Sequence, residues 1–432
     1  MLVAKIHFST YNLCVPALSD DPPSAPAAVI PRNLEASLRT LATYYPVVTV
    51  TGPRQSGKTT LCRATFPDKP YVSLEALDER EFATTDPRGF LAQHAAGAII
   101  DEVQHAPDLL SYLQVDVDAR PEHGRFILTG SQHLGLSQAI AQSLAGRTGV
   151  LHLLPLGLDE LRRFPAPPQD LFDTLWRGGY PRIHDRQIPA DRWLADYVAT
   201  YVQRDVRQVL NVGDLHAFTT FLRLCAGRTA QVLNLSALAA DAGISHNTAR
   251  AWLSVLETSF LVFRLPAWHR SITTQMVKSP KLHFFDTGLA CHLLGIRAPD
   301  QLVHHPLRGA IFESWVASEI YKARVHRGQA PALFHLRQQR GIEIDLVLDA
   351  PSRLVLTETK SGATVAPDAF KSLDAAAAHL DRSSITAPAR ESGPEVPTPL
   401  ARVVVYGGET AQHRTGVTVV PWHAVADYRW AD

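Results

Sequence analysis

Thr51-Gly-Pro-Arg-Gln-Ser-Gly-Lys-Thr-Thr60 fits the pattern G-x-x-x-x-G-K-[ST] from Gly52 to Thr59 without a mismatch. Glycines at Gly52 and Gly57 let the backbone bend so that its N–H groups face phosphate oxygens. The loop Gly52, Pro53, Arg54, Gln55, Ser56 and Gly57 would form the cradle, with Lys58, Thr59 and Thr60 opening a helix whose N-terminal end favours anions. Lys58 can reach the β and γ phosphates, and the Thr59 hydroxyl can ligate Mg2+. The flanks agree: Pro46-Val-Val-Thr-Val50 reads as a buried strand, and Leu61-Cys-Arg-Ala64 continues a helix.

Gly97-Ala-Ile-Ile-Asp-Glu-Val-Gln-His105 follows about forty residues later. A short apolar strand here would deliver two carboxylates at its C-terminal edge. Asp101 is placed to hold Mg2+, and Glu102 to polarise the attacking water. A third strand, Arg125-Phe-Ile-Leu-Thr-Gly-Ser-Gln132, ends in polar residues that could aim Ser131 or Gln132 at the γ phosphate. Helix, strand and loop alternate down to Leu154-Pro-Leu156, which predicts a parallel α/β sheet covered on both faces.

With 432 residues, the chain calls for two to four domains. Its 46% hydrophobic and 19% charged content describe a globular protein, and no apolar run approaches the roughly 20 residues of a membrane span. A formal net charge of zero gives no overall pull towards nucleic acid. Cys14, Cys62, Cys225 and Cys291 lack metal-site or disulfide spacing and read as reduced thiols of a cytoplasmic protein. The pair His304-His305 reads as a solvated loop. Residues 1–28 read as a disordered tail or an overextended gene start, and Ile30-Pro-Arg-Asn-Leu-Glu-Ala-Ser-Leu-Arg39 as the first amphipathic helix.

After Phe164-Pro-Ala-Pro-Pro168 the pattern shifts to long helices. Within them, residues 235–256 have the form of a helix-turn-helix. Leu235, Leu238 and Ala239 form the first apolar stripe, Gly243 the turn and Ser245 the cap. Ala249, Trp252, Leu253 and Leu256 form the second stripe. Leu261-Val-Phe-Arg-Leu265 fits a wing strand, and His246, Asn247 and Arg250 stand on the outer face. From Arg204 to Lys281 there are nine Lys/Arg against four Asp/Glu, a local basic bias. Contact with DNA and service as an ATPase lid or protein-contact module both fit.

The C-terminal part carries a second constellation. Gly309–Ile320 reads as an amphipathic helix with Glu313 near its start, followed by β-patterned runs at 343–348 and 354–360. In a restriction-endonuclease-like fold, Asp345 and Glu358 would converge on Mg2+, with Glu313 a further carboxylate. Lys360, two residues on, projects from the same face as Glu358, where it could orient a water.

The whole chain from about residue 30 resembles prokaryotic AAA-type ATP-binding proteins of the AAA+ superfamily that carry a C-terminal domain of unknown function. The phosphate loop, Ile100–Pro107 and Leu128–Gln132 carry the resemblance. Ser143–Arg147, Pro155–Leu161, Tyr201–Asp205, Phe285–Leu289 and the nuclease-like tail extend it. A Pro/Ser-rich stretch at 382–399 looks like an insertion. The resemblance implies an ATPase unit at 29–165, a helical lid and winged helix at 166–300, and a nuclease-like domain at 301–432. It implies ATP and Mg2+ as cofactors. It also implies that Arg147 approaches the phosphates as a cis or trans arginine, against the alternative of a structural salt bridge. An enzyme acting on DNA and a nucleotide switch acting on a protein partner both remain open, as does oligomerisation.

Overall fold

A computed structural model describes residues 29–131, 140, 142–202, 214–269, 279–337, 341–386 and 399–430. The tail 1–28, Gln132 and most of the stretch 382–399 lie outside the described residues. Strands β1 (Val47–Gly52), β2 (Tyr71–Ser73), β3 (Ala98–Asp101), β4 (Phe126–Ser131) and β5 (Thr148–His152) form a parallel sheet in the order β2-β3-β4-β1-β5. Alternation along β1 explains its two covered faces. Val47 joins a core with Ile100, Leu128 and the helix Leu109–Ala119, whereas Val48 and Val50 join Leu38, Leu61, Ile99 and Ile127. The first helix runs Glu35–Leu41, anchored by buried Leu38 beside Leu34.

The middle region packs helices Pro181–Asp185, Ala190–Tyr197, Leu215–Gly227, Leu235–Asp241 and His246–Thr258 around one apolar core. Leu238, Ala239, Ala249, Trp252, Leu253 and Leu256 lie in that core, and Gly243 makes the turn at φ +67°. Ser245 Oγ accepts from Thr248 N at 3.1 Å, capping His246–Thr258. Strands β6 (Gln231–Val232), β7 (Val262–Leu265) and β8 (Lys281–Phe284) form an antiparallel sheet with β8 in the centre.

The C-terminal sheet is mixed: β9 (Leu333–Arg337), β10 (Glu343–Ala350), β11 (Arg353–Lys360), β12 (Leu400–Tyr406), β13 (Gln412–Arg414) and β14 (Val417–Pro421) in the order β13-β14-β12-β11-β10-β9. β11 runs antiparallel to β10 and parallel to β12. The helix Pro367–Thr386 contributes Ala369, Leu373 and Ala376 to the core on one face. On the other face the sequence predicts an amphipathic helix over 309–320. The observed helix, Arg308–Val325, is instead buried on nearly every side. Three elements enclose it. Ile311, Trp315 and Ile320 join the core that includes Val355 and Val403 of the sheet, the Ser314 hydroxyl bonds Phe284 of β8, and Glu319 bonds Leu158 of the connection leaving the first sheet.

Candidate functional site

The phosphate loop leaves β1 at Gly52 and enters the helix Lys58–Thr65 at Gly57, which has φ +94°. Gly52 is required by close approach: a Cβ there would meet the Leu153 carbonyl oxygen at 2.2 Å. Lys58 is buried and donates to the carbonyls of Gly52 (3.2 Å) and Pro53 (2.9 Å). Burial lowers its pKa, and the carboxylates of Glu102 and Asp101 partly offset that. Among the described residues, the buried hydroxyls of Ser56 and Ser131 have no hydrogen-bond partner. Register pairs Ser131 with Gly52, so its hydroxyl stands beside the loop. An oxyanion supplies the acceptors that such a cradle calls for.

Asp101 ends β3 and is held by three hydroxyls. Thr59 Oγ1 donates at 2.9 Å and Tyr71 OH at 2.8 Å to one oxygen, and Thr129 Oγ1 donates to the other. Thr59 and Asp101, the two expected Mg2+ ligands, are therefore in direct contact. Glu102 sits at φ +56° immediately beyond the strand, and its carboxylate accepts from the Gln104 amide. One of its carboxylate oxygens, one of Glu75 and a ring nitrogen of His105 all lie within 4.8 Å of one another.

Arg147 is not brought to this group. It precedes β5, beside the N-terminal end of β1, whereas the loop leaves the C-terminal end of that strand. Its guanidinium grips Asp118 through Nε–Oδ1 at 2.6 Å and Nη2–Oδ2 at 2.9 Å. That geometry corrects the expectation of an approach in cis: within one chain it is a structural ion pair.

A cavity of about 700 Å³ opens over the loop. Arg54, Gln55, Thr59, Thr60, Asp101, Glu102 and Ser131 line it on the sheet side, and Ile30, Pro31, Phe164, Pro181 and Arg182 roof it. Three residues escaped the sequence reading. Arg32 lies behind the loop, donating to Ser56 O (2.7 Å), Leu154 O (2.9 Å) and Glu160 (2.9 Å). Burial alone would raise the Glu160 pKa, but Arg32, joined by His326 and the Asn33 N–H, outweighs it and holds the carboxyl at about 2. Tyr71 holds Asp101, and its own pKa is pushed up to about 12 by burial and by that carboxylate. Arg182 follows Gly178-Gly-Tyr-Pro, a legible signal. Gly179 N donates to Asp286 Oδ2 at 2.7 Å, and side chains at Gly178 and Gly179 would strike Asp286 and the Leu156 carbonyl.

The second constellation also assembles. Leu346 pairs with Thr357, which sets Asp345 beside Glu358. Asp345 Oδ2 accepts from Thr359 N and Oγ1, both at 2.9 Å. Lys360 Nζ lies 3.7 Å from Glu358 and 3.3 Å from Asp368. Burial first, then Asp345, pushes the Glu358 pKa up to about 8. Glu313 rises well above the carboxylate range for the same reasons. An unforeseen residue enters from β8: the Lys281 ammonium stands 2.9 Å from Glu313, 3.4 Å from Glu343 and 3.8 Å from Asp345. Among the described residues, Glu313, Asp345 and Glu358 do not form a trio with ligand atoms within 4.8 Å of one another. The predicted set thus shares a region of the sheet without that spacing, and the Lys281 ammonium stands beside two of its members, Glu313 and Asp345.

Comparison with known proteins divides the chain in three. A family model described as AAA domain matches residues 44–162, and domains of unknown function match residues 168–300 (DUF8612) and 308–425 (DUF4143). Uncharacterized protein Rv2008c of Mycobacterium tuberculosis and Mb2031c of Mycobacterium bovis are each 30% identical over 365 residues, 81% of this chain and 79% of theirs. Among solved structures, the Walker-type ATPase of Pyrococcus abyssi is 14% identical, with a TM-score of 0.41, over 61% of this chain and 96% of its own. AMPPCP-bound DnaA from Aquifex aeolicus is 13% identical, with a TM-score of 0.29, over 52% and 85%. The phosphate loop of the first sheet is that of a nucleotide-binding, ATPase-like AAA domain. The chain belongs to the family of AAA-domain proteins that includes uncharacterized protein Rv2008c of Mycobacterium tuberculosis.

Proposed function

We propose that this protein is a Mg2+-dependent ATPase whose nucleotide cycle acts on a winged helix and a restriction-endonuclease-like module. One observation carries it: the Thr59–Asp101 contact at 2.9 Å beside the mouth of the cavity that Lys58 and Glu102 line. The loop N–H groups and Lys58 hold the β and γ phosphates, Glu102 orients water, and Ser131 reads the γ phosphate. When bound, Mg2+ neutralises phosphate charge, with Thr59 and Asp101 as its protein partners. The helix–strand–helix–helix–strand–strand order of 215–284 supports the winged-helix assignment, and exposed His246, Asn247 and Arg250 support DNA as a partner. Asp345, Glu358 and Lys360 on two strands of a mixed sheet, with Glu313 on the helix packed against it, support the nuclease-like assignment.

A second reading is favoured by Lys281. With an ammonium inside the carboxylate cluster, the C-terminal module serves as a scaffold and ATP switches a protein partner. ATP turnover measured with and without DNA, beside cleavage in Mg2+ and Mn2+, separates the two. Cleavage lost in Lys360→Ala supports the nuclease. Turnover lost in Lys58→Ala without any cleavage supports the switch, and turnover unchanged in Lys58→Ala sinks both.

A further inference from the structure

Lys281 is the first residue of β8, and its backbone pairs with Val232 and Leu265, but its side chain leaves that sheet. Its side chain is 3% exposed and points into the C-terminal module. Its three carboxylate partners come from two elements of that module. Glu313 lies on the helix Arg308–Val325, and Glu343 and Asp345 lie on β10. Glu313 and Asp345 are themselves only 12% and 18% exposed. A buried ammonium at hydrogen-bonding distance from Glu313 satisfies charges that burial would otherwise penalise heavily.

Strand β8 is fastened where it stands. Phe284 N donates to Ser314 Oγ at 3.1 Å, and Ser318 Oγ donates to the Phe285 carbonyl at 2.7 Å. Trp268 N donates to the His335 carbonyl at 2.6 Å, joining the chain after β7 to β9. These bonds fix the ammonium between the helix and β10. A divalent ion serving Glu313 and Asp345 needs their oxygens at roughly 2.0–2.6 Å, in the space the ammonium takes. The second Asp345 oxygen is already engaged by Thr359.

We propose that the Lys281 ammonium is the resident cation of this carboxylate cluster, and that it excludes a divalent metal while β8 stays docked. This rests on reading the cluster as a nuclease-like metal site, and it names what controls that site. The lysine is a lock delivered by the middle module, and metal binding requires β8 to withdraw.

The test is Mn2+ titration of the nucleotide-free full chain, with free Mn2+ followed by electron paramagnetic resonance. Lys281→Met should bind one Mn2+ at least tenfold more tightly than the unaltered protein, and adding Asp345→Asn should abolish the gain. Lys281→Gln serves as a second neutral variant should the methionine disturb folding. An unaltered protein that already binds Mn2+ tightly through Asp345 overturns the lock while leaving the metal-site reading intact. Absence of Asp345-dependent Mn2+ binding in every form overturns both.

Discussion

Replacing Arg32 with methionine tests how the phosphate loop is held. The guanidinium and Glu160 are 6% and 0% exposed, and the same group bonds the Ser56 and Leu154 carbonyls. Removing it strands a buried carboxylate, which costs about 3–5 kcal/mol when one partner of a buried pair is lost. The Glu160 pKa, set by burial against Arg32 together with His326 and the Asn33 N–H, gives a figure of the same order for the whole environment. The gap between about 2 and the ordinary 4.5 corresponds to roughly 3 kcal/mol at neutral pH.

Because the folded-state value is depressed, this stability is present above about pH 4.5 and is lost as pH falls towards 2. Urea unfolding of Arg32→Met should therefore show a loss of about 3 kcal/mol at pH 7 that shrinks below pH 4.5. Arg32→Met/Glu160→Gln should recover part of it, since no charge is left unpaired. A loss under about 1 kcal/mol, or a double variant as unstable as the sum of the singles, would refute the reasoning.

Three further outcomes follow from the geometry. Ser131→Ala should lower turnover about 10- to 100-fold, the value of a hydrogen bond to a charged group, with ATP affinity nearly unchanged in a nucleotide titration. Gly52→Ala drives a Cβ to 2.2 Å from the Leu153 carbonyl at φ +151°. It should abolish binding of a fluorescent ATP analogue and lower the melting temperature. His326, which accepts from Leu154 N at 3.2 Å, is held at about 4 by burial. The unfolded chain therefore takes up its proton first, and stability falls as pH drops from about 6.5 to 4. His326→Gln should flatten that slope of unfolding free energy against pH, read by urea unfolding, by up to about 1.4 kcal/mol per pH unit, and an unchanged slope would count against it.

The nucleotide site was largely legible because its chemistry is local. Gly52, Gly57, Lys58 and Thr59 must be consecutive to bend a loop into a helix, and Asp101 and Glu102 must end a strand. The apolar stripe around Trp252 and the Ser245 cap were legible for the same reason: helical spacing sets them. Glu358 and Lys360 share a face because side chains two apart on a strand do. The Arg308–Val325 helix misled because sequence reports one apolar stripe and not how many neighbours enclose it. Arg147 stayed open between a phosphate-sensing arginine and a structural salt bridge because a resemblance transfers a residue without its environment, and within the chain Asp118 lies beside it.

What the sequence alone determined is thus the phosphate loop, its carboxylate strand and the shared face of Glu358 and Lys360. Each is encoded in contiguous residues or a fixed period. Only the tertiary structure decided that Arg32 braces the loop through Glu160, 128 residues away, and that Lys281 of one sheet enters the carboxylates of another. Those contacts depend on how separate sheets and helices dock. Docking is fixed by the summed burial of whole faces and not by any local pattern.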